Sequence, residues 1–252
     1  MQIARSTKMK PRLDSAQSAR AAELRLSRLA PLDDDELRAV RQAASFPQRL
    51  PAHRELVAEG APAGEPHILL EGWMGRIRHF SDGRRQILSF ILPGDRLGVG
   101  QQNHPRAAAT VTALTPVLLC RAPQPRSGRV GAGLAEAYAM GAALEEQYML
   151  RQIARIGRLS AHERQIDWML EMHDRLELAG LAEADAFPMP LTQEALADAP
   201  GLTSVHVNRT LQSMRRERLI DFRSGVIQLS DPRQLANMVD YRPPTMAGLS
   251  AR

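Results

Sequence analysis

The sequence is poor in residues that build covalent or metal-held frameworks, with a single cysteine, Cys120, in 252 positions. One thiol cannot close an internal disulfide, and it leaves no thiolate set for a structural zinc site or an iron–sulfur cluster. A reducing cytoplasm fits that economy, and Cys120, inside the apolar run at 117–120, reads as a buried core thiol. Aromatics make up 4 % of the chain, so its core must be aliphatic, drawn from a hydrophobic fraction of 44 % that suits a globular protein. No run approaches the roughly 20 apolar residues that span a bilayer, and the basic N-terminal stretch lacks the apolar segment of a signal peptide. Lysine is confined to Lys8 and Lys10, so arginine carries the net charge of +5. A guanidinium binds phosphate and guanine through paired hydrogen bonds, which suits a nucleic-acid partner.

Enzyme motifs are also missing. There is no glycine-rich phosphate loop after a strand, no Gly-x-Ser-x-Gly elbow and no His-Glu-x-x-His pair. His104 and His206 stand alone without metal-ligand spacing. The acidic run Asp33, Asp34, Asp35 and Glu36 is better read as a helix start, where carboxylates meet the positive end of the helix dipole. No enzymatic activity, metal or cofactor is expected.

What is present divides along the chain. Residues 1–22 read as a disordered tail. From about 50 to 122, glycines at 60, 64, 72, 75, 83, 94, 98 and 100 separate short apolar runs, the pattern of a small all-β domain with a leading helix, 23–126 in all. Ser81-Asp82-Gly83 is a hairpin signal. After 126 the glycines thin out, and 127–158 reads as one long helix. Ala137, Gly141, Leu144 and Tyr148 follow a 4-3-4 spacing on it. Such a narrow stripe packs either on the helix's own β domain or on a second copy as a dimer interface, the role assigned to these four residues. Ser160 caps a second helix to about Leu178, with Ile166, Met169, Leu170 and His173 on one face and Gly180 beyond its end. Residues 183–190, ending Pro-Met-Pro, read as a linker, and 236–252 as a C-terminal tail.

The informative stretch is 191–220, LTQEALADAPGLTSVHVNRTLQSMRRERLI. Thr192 is an N-cap for a short helix, Pro200-Gly201 a turn, and Thr203 the cap of a second helix. Wound at 100° per residue, Val207, Leu211 and Met214 share one arc, while Val205, Asn208, Arg209, Gln212 and Arg216 share the opposite one. A major groove can be read by such a face, with an ordinary solvated helix face as the competing reading: Arg forks onto guanine, Asn or Gln onto adenine, and a small apolar group touches a thymine methyl. Arg216, further along, is placed to meet phosphate. Two short runs about Gly225, at 219–222 and 226–229, form a wing, so that 159–235 is one DNA-binding unit.

This stretch resembles the winged helix-turn-helix of the CRP/FNR superfamily, with Gly201-Leu202-Thr203 as its turn signature and Arg209 as its mid-helix arginine. The upstream half resembles the cyclic-nucleotide-binding β-roll at residues 68–73, 82–88 and 92–95. The resemblance covers roughly 45–232. It implies an α+β fold with an N-terminal β-roll, a long dimerisation helix and a C-terminal winged helix-turn-helix. It further implies a homodimeric transcription regulator on near-palindromic double-stranded DNA, with RNA polymerase a further candidate partner. Arg209 would then read a guanine, with Ser204, Val205, Asn208 and Gln212 near base edges and Thr192, Gln193, Thr203 and Arg216 on the backbone. Two positions depart from the family pattern: Val205 replaces a frequent glutamate, and Pro200 a frequent leucine.

The effector does not transfer with the fold. Members that bind cAMP carry Gly-Glu-Leu and then Arg-Ser or Arg-Thr. Here no glutamate follows Gly98 or Gly100, and alanines follow Arg106. Neither cAMP nor an iron–sulfur cluster is expected. Arg84, Arg85 and Arg106 are the candidate effector residues, with an ordinary solvated hairpin as the competing reading of Arg84 and Arg85. A ligand-binding module without DNA output is the alternative for the whole chain.

Overall fold

The computed structural model describes residues 15–98, 106–125, 132–199 and 201–244. The described residues begin with two helices, α1 (Ser15–Leu29) and α2 (Asp34–Ala44). Asp33 caps α2 in a capping box with Glu36, as the acidic run implies. Glu36 also accepts the amide of Leu134 at 2.6 Å, so one carboxylate ties α2 to the start of α3 (Ala132–Arg158). The expected tail therefore needs correcting at residues 15–22. They begin α1, which buries Ala21, Ala22 and Leu26 and packs on α2 and α3.

Among the described residues of the next segment, eight strands form two antiparallel sheets. One has the order β1 (Gln48–Leu50), β8 (Val117–Arg121), β3 (His67–Glu71), β6 (Arg96–Leu97). The other runs β2 (Glu55–Val57), β7 (Thr110–Ala113), β4 (Met74–His79), β5 (Arg85–Ile91). Leu69, Met74, Ile91, Leu97, Val111 and Leu119 form a core drawn from both. The chain passes from one sheet to the other in the two residues between β3 and β4. Gly72 sits there with φ +82°, and a Cβ would lie 2.4 Å from the Pro116 carbonyl oxygen, so only glycine fits. The predicted hairpin at 81–83 joins β4 to β5.

Helix α3 presents its stripe inward, which corrects the dimer assignment. Ala137, Leu144 and Tyr148 are buried among Leu26, Leu29, Ile68 and Leu70 of the same chain, and Gly141 faces Leu29, whose Cδ1 would be 3.7 Å from a Cβ. Cys120 lies in that core, and burial pushes its thiol up to about 11.

The C-terminal unit comprises α4 (Ala161–Leu178), β9 (Ala186–Pro188), α5 (Gln193–Asp198), α6 (Ser204–Arg216), β10 (Ile220–Arg223), β11 (Val226–Leu229) and α7 (Pro232–Met238). Ser160 caps α4 as expected. The helix is buried almost all round, however: Gln165 through His173 are all inaccessible, because other elements cover every side. Two further readings change. Residues 186–188, within the expected linker, pair with β11 as the third strand of the wing sheet. Tyr241, in the expected C-terminal tail, is buried and donates to Asp174 at 2.7 Å. Burial, with the Asp174 carboxylate beside it, raises this phenol well above its ordinary pKa.

Candidate nucleic-acid interface

The interface is built locally. The Thr192 hydroxyl accepts the Ala195 amide at 3.2 Å and starts α5. The chain reverses at Gly201, whose φ of +68° suits glycine, while Leu202 donates back to Ala197 at 3.0 Å. The Thr203 hydroxyl then accepts the His206 amide at 3.2 Å and starts α6. Both caps leave the hydroxyl hydrogen available for an acceptor such as phosphate. Gln193 opens α5; its side chain, like Pro200 and His104, lies outside the described residues.

Helix α6 divides as its periodicity implies. Val207, Leu211 and Met214 are buried, as is Thr210, whose hydroxyl donates to the His206 carbonyl at 3.0 Å. Ser204, Val205, Arg209, Gln212 and Arg216 are exposed and Asn208 is half-exposed, so the reading face is one solvent-facing surface. Val205 is 75 % exposed, an apolar group open to contact on that surface. The wing follows, with β10 and β11 paired about Ser224 and Gly225, both at positive φ.

Between α6 and the wing lies an open cleft of about 640 Å³, lined by Arg215, Arg216, Arg218 and Arg223 with Gln212 and Gln228. Arg223 pairs with Asp221 at 2.7 Å. Arg215, Arg218 and Arg223 did not emerge from the helical wheel, because the cleft forms only when the wing folds back beside the helix. The run Arg215, Arg216, Arg218 was the available signal. A concave arginine surface continuous with the reading face matches the shape and charge of a nucleic-acid backbone.

The effector candidates do not converge. Arg84 pairs with Asp82 at 2.7 Å on the exposed hairpin. Arg85 turns toward α5 and pairs with Asp198 at 2.5 Å. Arg106 borders a separate cavity of about 390 Å³ in the β-roll, lined by Leu56, Val57, Ala107, Ala108, Ala109 and Met149 among others, and donates to the Gly60 carbonyl at 2.6 Å. Residues 99–105, most of the stretch that corresponds to the cAMP-type segment, lie outside the described residues. His173, Asp174 and Glu177 hold ligand-type atoms within 4.8 Å of one another. His173 Nε2 lies 2.6 Å from the Ala184 carbonyl and Asp174 accepts from Tyr241, so local hydrogen bonds already account for both.

A buried ionic cluster joins this unit to the β-roll. Arg175 of α4 reaches the Asp95 carboxylate and the Phe90 carbonyl, both at 2.8 Å, and Glu171 at 3.2 Å. Arg25 of α1 meets Asp95 at 2.5 Å. Arg155 of α3 meets Asp167 at 2.6 Å and Glu171 at 2.5 Å. Burial alone would push the Asp95 carboxyl up, but Arg25 and Arg175 outweigh it and hold it below the ordinary range.

Comparison with known proteins agrees with this arrangement. Residues 47–129 match the cyclic nucleotide-binding domain family, and residues 163–238 match the Crp-like helix-turn-helix domain family. The nitrogen fixation regulation protein FixK of Bradyrhizobium diazoefficiens is 33 % identical over 165 residues, 65 % of this chain and 69 % of that protein. The chain belongs to the CRP/FNR superfamily. Another CRP/FNR relative, the transcriptional activatory protein AadR of Rhodopseudomonas palustris, is 28 % identical over 82 % of this chain and 84 % of its own. Among solved structures, FixK2 from Bradyrhizobium japonicum superposes with a TM-score of 0.63 at 24 % identity, covering 76 % of this chain and 96 % of that one. A CRP-family regulator from Thermus thermophilus gives 0.59 at 20 %, covering 78 % and 98 %. This CRP/FNR protein is a DNA-binding transcription regulator with the α+β architecture of that superfamily. Among the described residues no helix is long and apolar enough to cross a membrane.

Proposed function

We propose that the protein acts as a homodimer on a near-palindromic operator, with one α6 in each of two successive major grooves about 34 Å apart. The observation that carries this reading is the solvent-facing surface of α6, where Arg209 sits mid-helix among Val205, Asn208 and Gln212. Arg209 forks onto a guanine, Val205 covers a thymine methyl, and Ser204, Asn208 and Gln212 neighbour other base edges. Thr192, Gln193, Thr203 and Arg216 meet backbone phosphates, joined by Arg215 and Arg218 from the cleft.

The dimer seam moves to the other side of α3. Ala135, Ala142 and Met149 stand seven residues apart on its exposed face, flanked by Ala139 and Ile153 with Glu146 between those two, and Ile153 is 68 % exposed in the single chain. Small residues at one end and larger apolar ones at the other suit a helix pair. Independence from cAMP is supported by the alanines after Arg106 and by the use of its guanidinium on Gly60.

Selection of bound fragments from random DNA, with no ligand added, tests the reading. Wild-type protein should enrich a two-fold symmetric motif. Arg209→Ala should lose about 1–3 kcal/mol of discrimination per half-site while keeping its melting temperature. Equal discrimination by the variant overturns the Arg209 assignment, and enrichment of a single unrepeated half-site overturns the dimer.

A further inference from the structure

Helix α5 ends at Asp198, and the carbonyls of its last turn have no partners within the helix. Leu202 of the same unit serves the Ala197 carbonyl, but for Asp198 and Ala199 donors come from outside the DNA-binding unit. Gln86, on β5, directs its side-chain amide at the Asp198 carbonyl at 2.8 Å and the Ala199 carbonyl at 2.9 Å. Gln152, on α3, donates to the same Ala199 carbonyl at 2.7 Å. Beside them, Arg85 of β5 pairs with Asp198 at 2.5 Å and Glu194 at 3.3 Å. Gly201 follows at once, and a Cβ there would come within 3.3 Å of Gln86 Oε1. The turn that aims the recognition helix is thus capped by the β-roll and by α3.

We propose that Arg85 and Gln86 are positioning residues of the DNA-reading head: they lock the turn between α5 and α6 onto the β-roll and so set the direction of α6 relative to α3. The inference rests on the DNA-binding reading above. The docked state leaves Val205, Arg209 and Gln212 open to solvent, so the contact presents the reading face. Apolar packing continues across the same junction, where Phe90 of β5, Trp73 and Trp168 of α4 form a triangle of rings, Phe90 lying 5.8 and 5.5 Å from the two tryptophans and these 6.4 Å from each other. The strand that holds the turn also lines the β-roll cavity, through Leu88 and Ser89. Pairing of β4 with β5 slips between Arg76 and Ile77, leaving Leu88 as the extra residue. Such a bulge bends its strand and re-aims neighbouring side chains.

Two variants of the full-length protein separate positioning from packing. Gln86→Glu keeps the shape but sets a carboxylate against two carbonyls, whereas Gln86→Lys keeps N–H donors there. Hydrogen exchange across 193–203 and affinity for the selected operator are read in both. Gln86→Glu should speed exchange and weaken operator binding by about tenfold each, and Gln86→Lys should stay close to wild type. Unchanged exchange in Gln86→Glu overturns the latch, and equal loss in both variants reduces it to packing. Tighter operator binding by Gln86→Glu overturns positioning in favour of restraint. Faster exchange in Gln86→Glu, alongside wild-type protein that selects no symmetric motif, upholds the latch and overturns the symmetric-operator reading instead.

Discussion

At the junction between the β-roll and the DNA-binding unit, Arg25, Arg155 and Arg175 are buried against Asp95, Asp167 and Glu171. Along α6 and the start of the wing, Arg209, Arg215, Arg216 and Arg218 face solvent, and none pairs with a carboxylate among the described residues. The residue type is the same and the physics is opposite. A guanidinium taken out of water loses several kcal/mol of hydration, recovered only when counter-charges and hydrogen bonds surround it in one geometry. The junction arginines therefore specify how two domains meet. An exposed guanidinium keeps its hydration and its freedom, and one that met a DNA phosphate would release counterions and make the binding salt-dependent. Arginine abundance by itself therefore does not predict DNA binding.

The largest break in this comparison is Arg175→Met. Arg175 is 1 % exposed, and its loss leaves Glu171 and Asp95 under-compensated in the interior. About 3–5 kcal/mol of stability should go, lowering the melting temperature by on the order of 10 °C. A shift of a degree or two in calorimetry would show that the cluster does not hold the junction.

Acid should weaken the same junction. The Asp95 carboxyl is depressed in the folded state, so its contribution is complete above the unfolded carboxylate pKa and is lost as pH falls through the folded value. Urea midpoints should drop from about pH 5 downward, and Asp95→Asn should start lower and fall less steeply. Parallel curves for the two proteins would assign the acid sensitivity to other groups.

The exposed set behaves differently. Arg218→Ala should leave the melting temperature unchanged and weaken DNA binding uniformly across sequences. The slope of log affinity against log salt should fall by about 1. A change in base preference would move Arg218 from phosphate to base reading. Smallest of all is Arg84→Ala, which removes an exposed partner of Asp82. Neither stability nor operator affinity should change measurably, and a clear loss of either would restore Arg84 to the candidate effector set.

The helix-turn-helix was legible because its signals act within one turn of chain. Thr192 and Thr203 cap, Gly201 reverses, and the period of Val207, Leu211 and Met214 sets which face of α6 is buried. The β domain was legible as a set of strands, though not as two sheets, since sheet membership depends on pairing between distant segments. Helix α3 was half legible. It carries two apolar stripes of similar spacing, one through Ala137, Leu144 and Tyr148 and one through Ala135, Ala142, Met149 and Ile153. The arrival of α1, more than a hundred residues earlier in the chain, together with β3 decides that the first is covered from within.

Arg85 and Tyr241 make the same point. Neither carries a local sign of its contact, because its partner, Asp198 or Asp174, lies far away in sequence. By itself the sequence determined the local elements, the caps and the chemistry of the reading face, since backbone sterics and side-chain period operate over three or four residues. Tertiary structure alone decided which apolar stripe is core, which arginines are buried in pairs and which strand holds the recognition turn. Those outcomes depend on what long-range packing removes from water, and no short window of sequence encodes that.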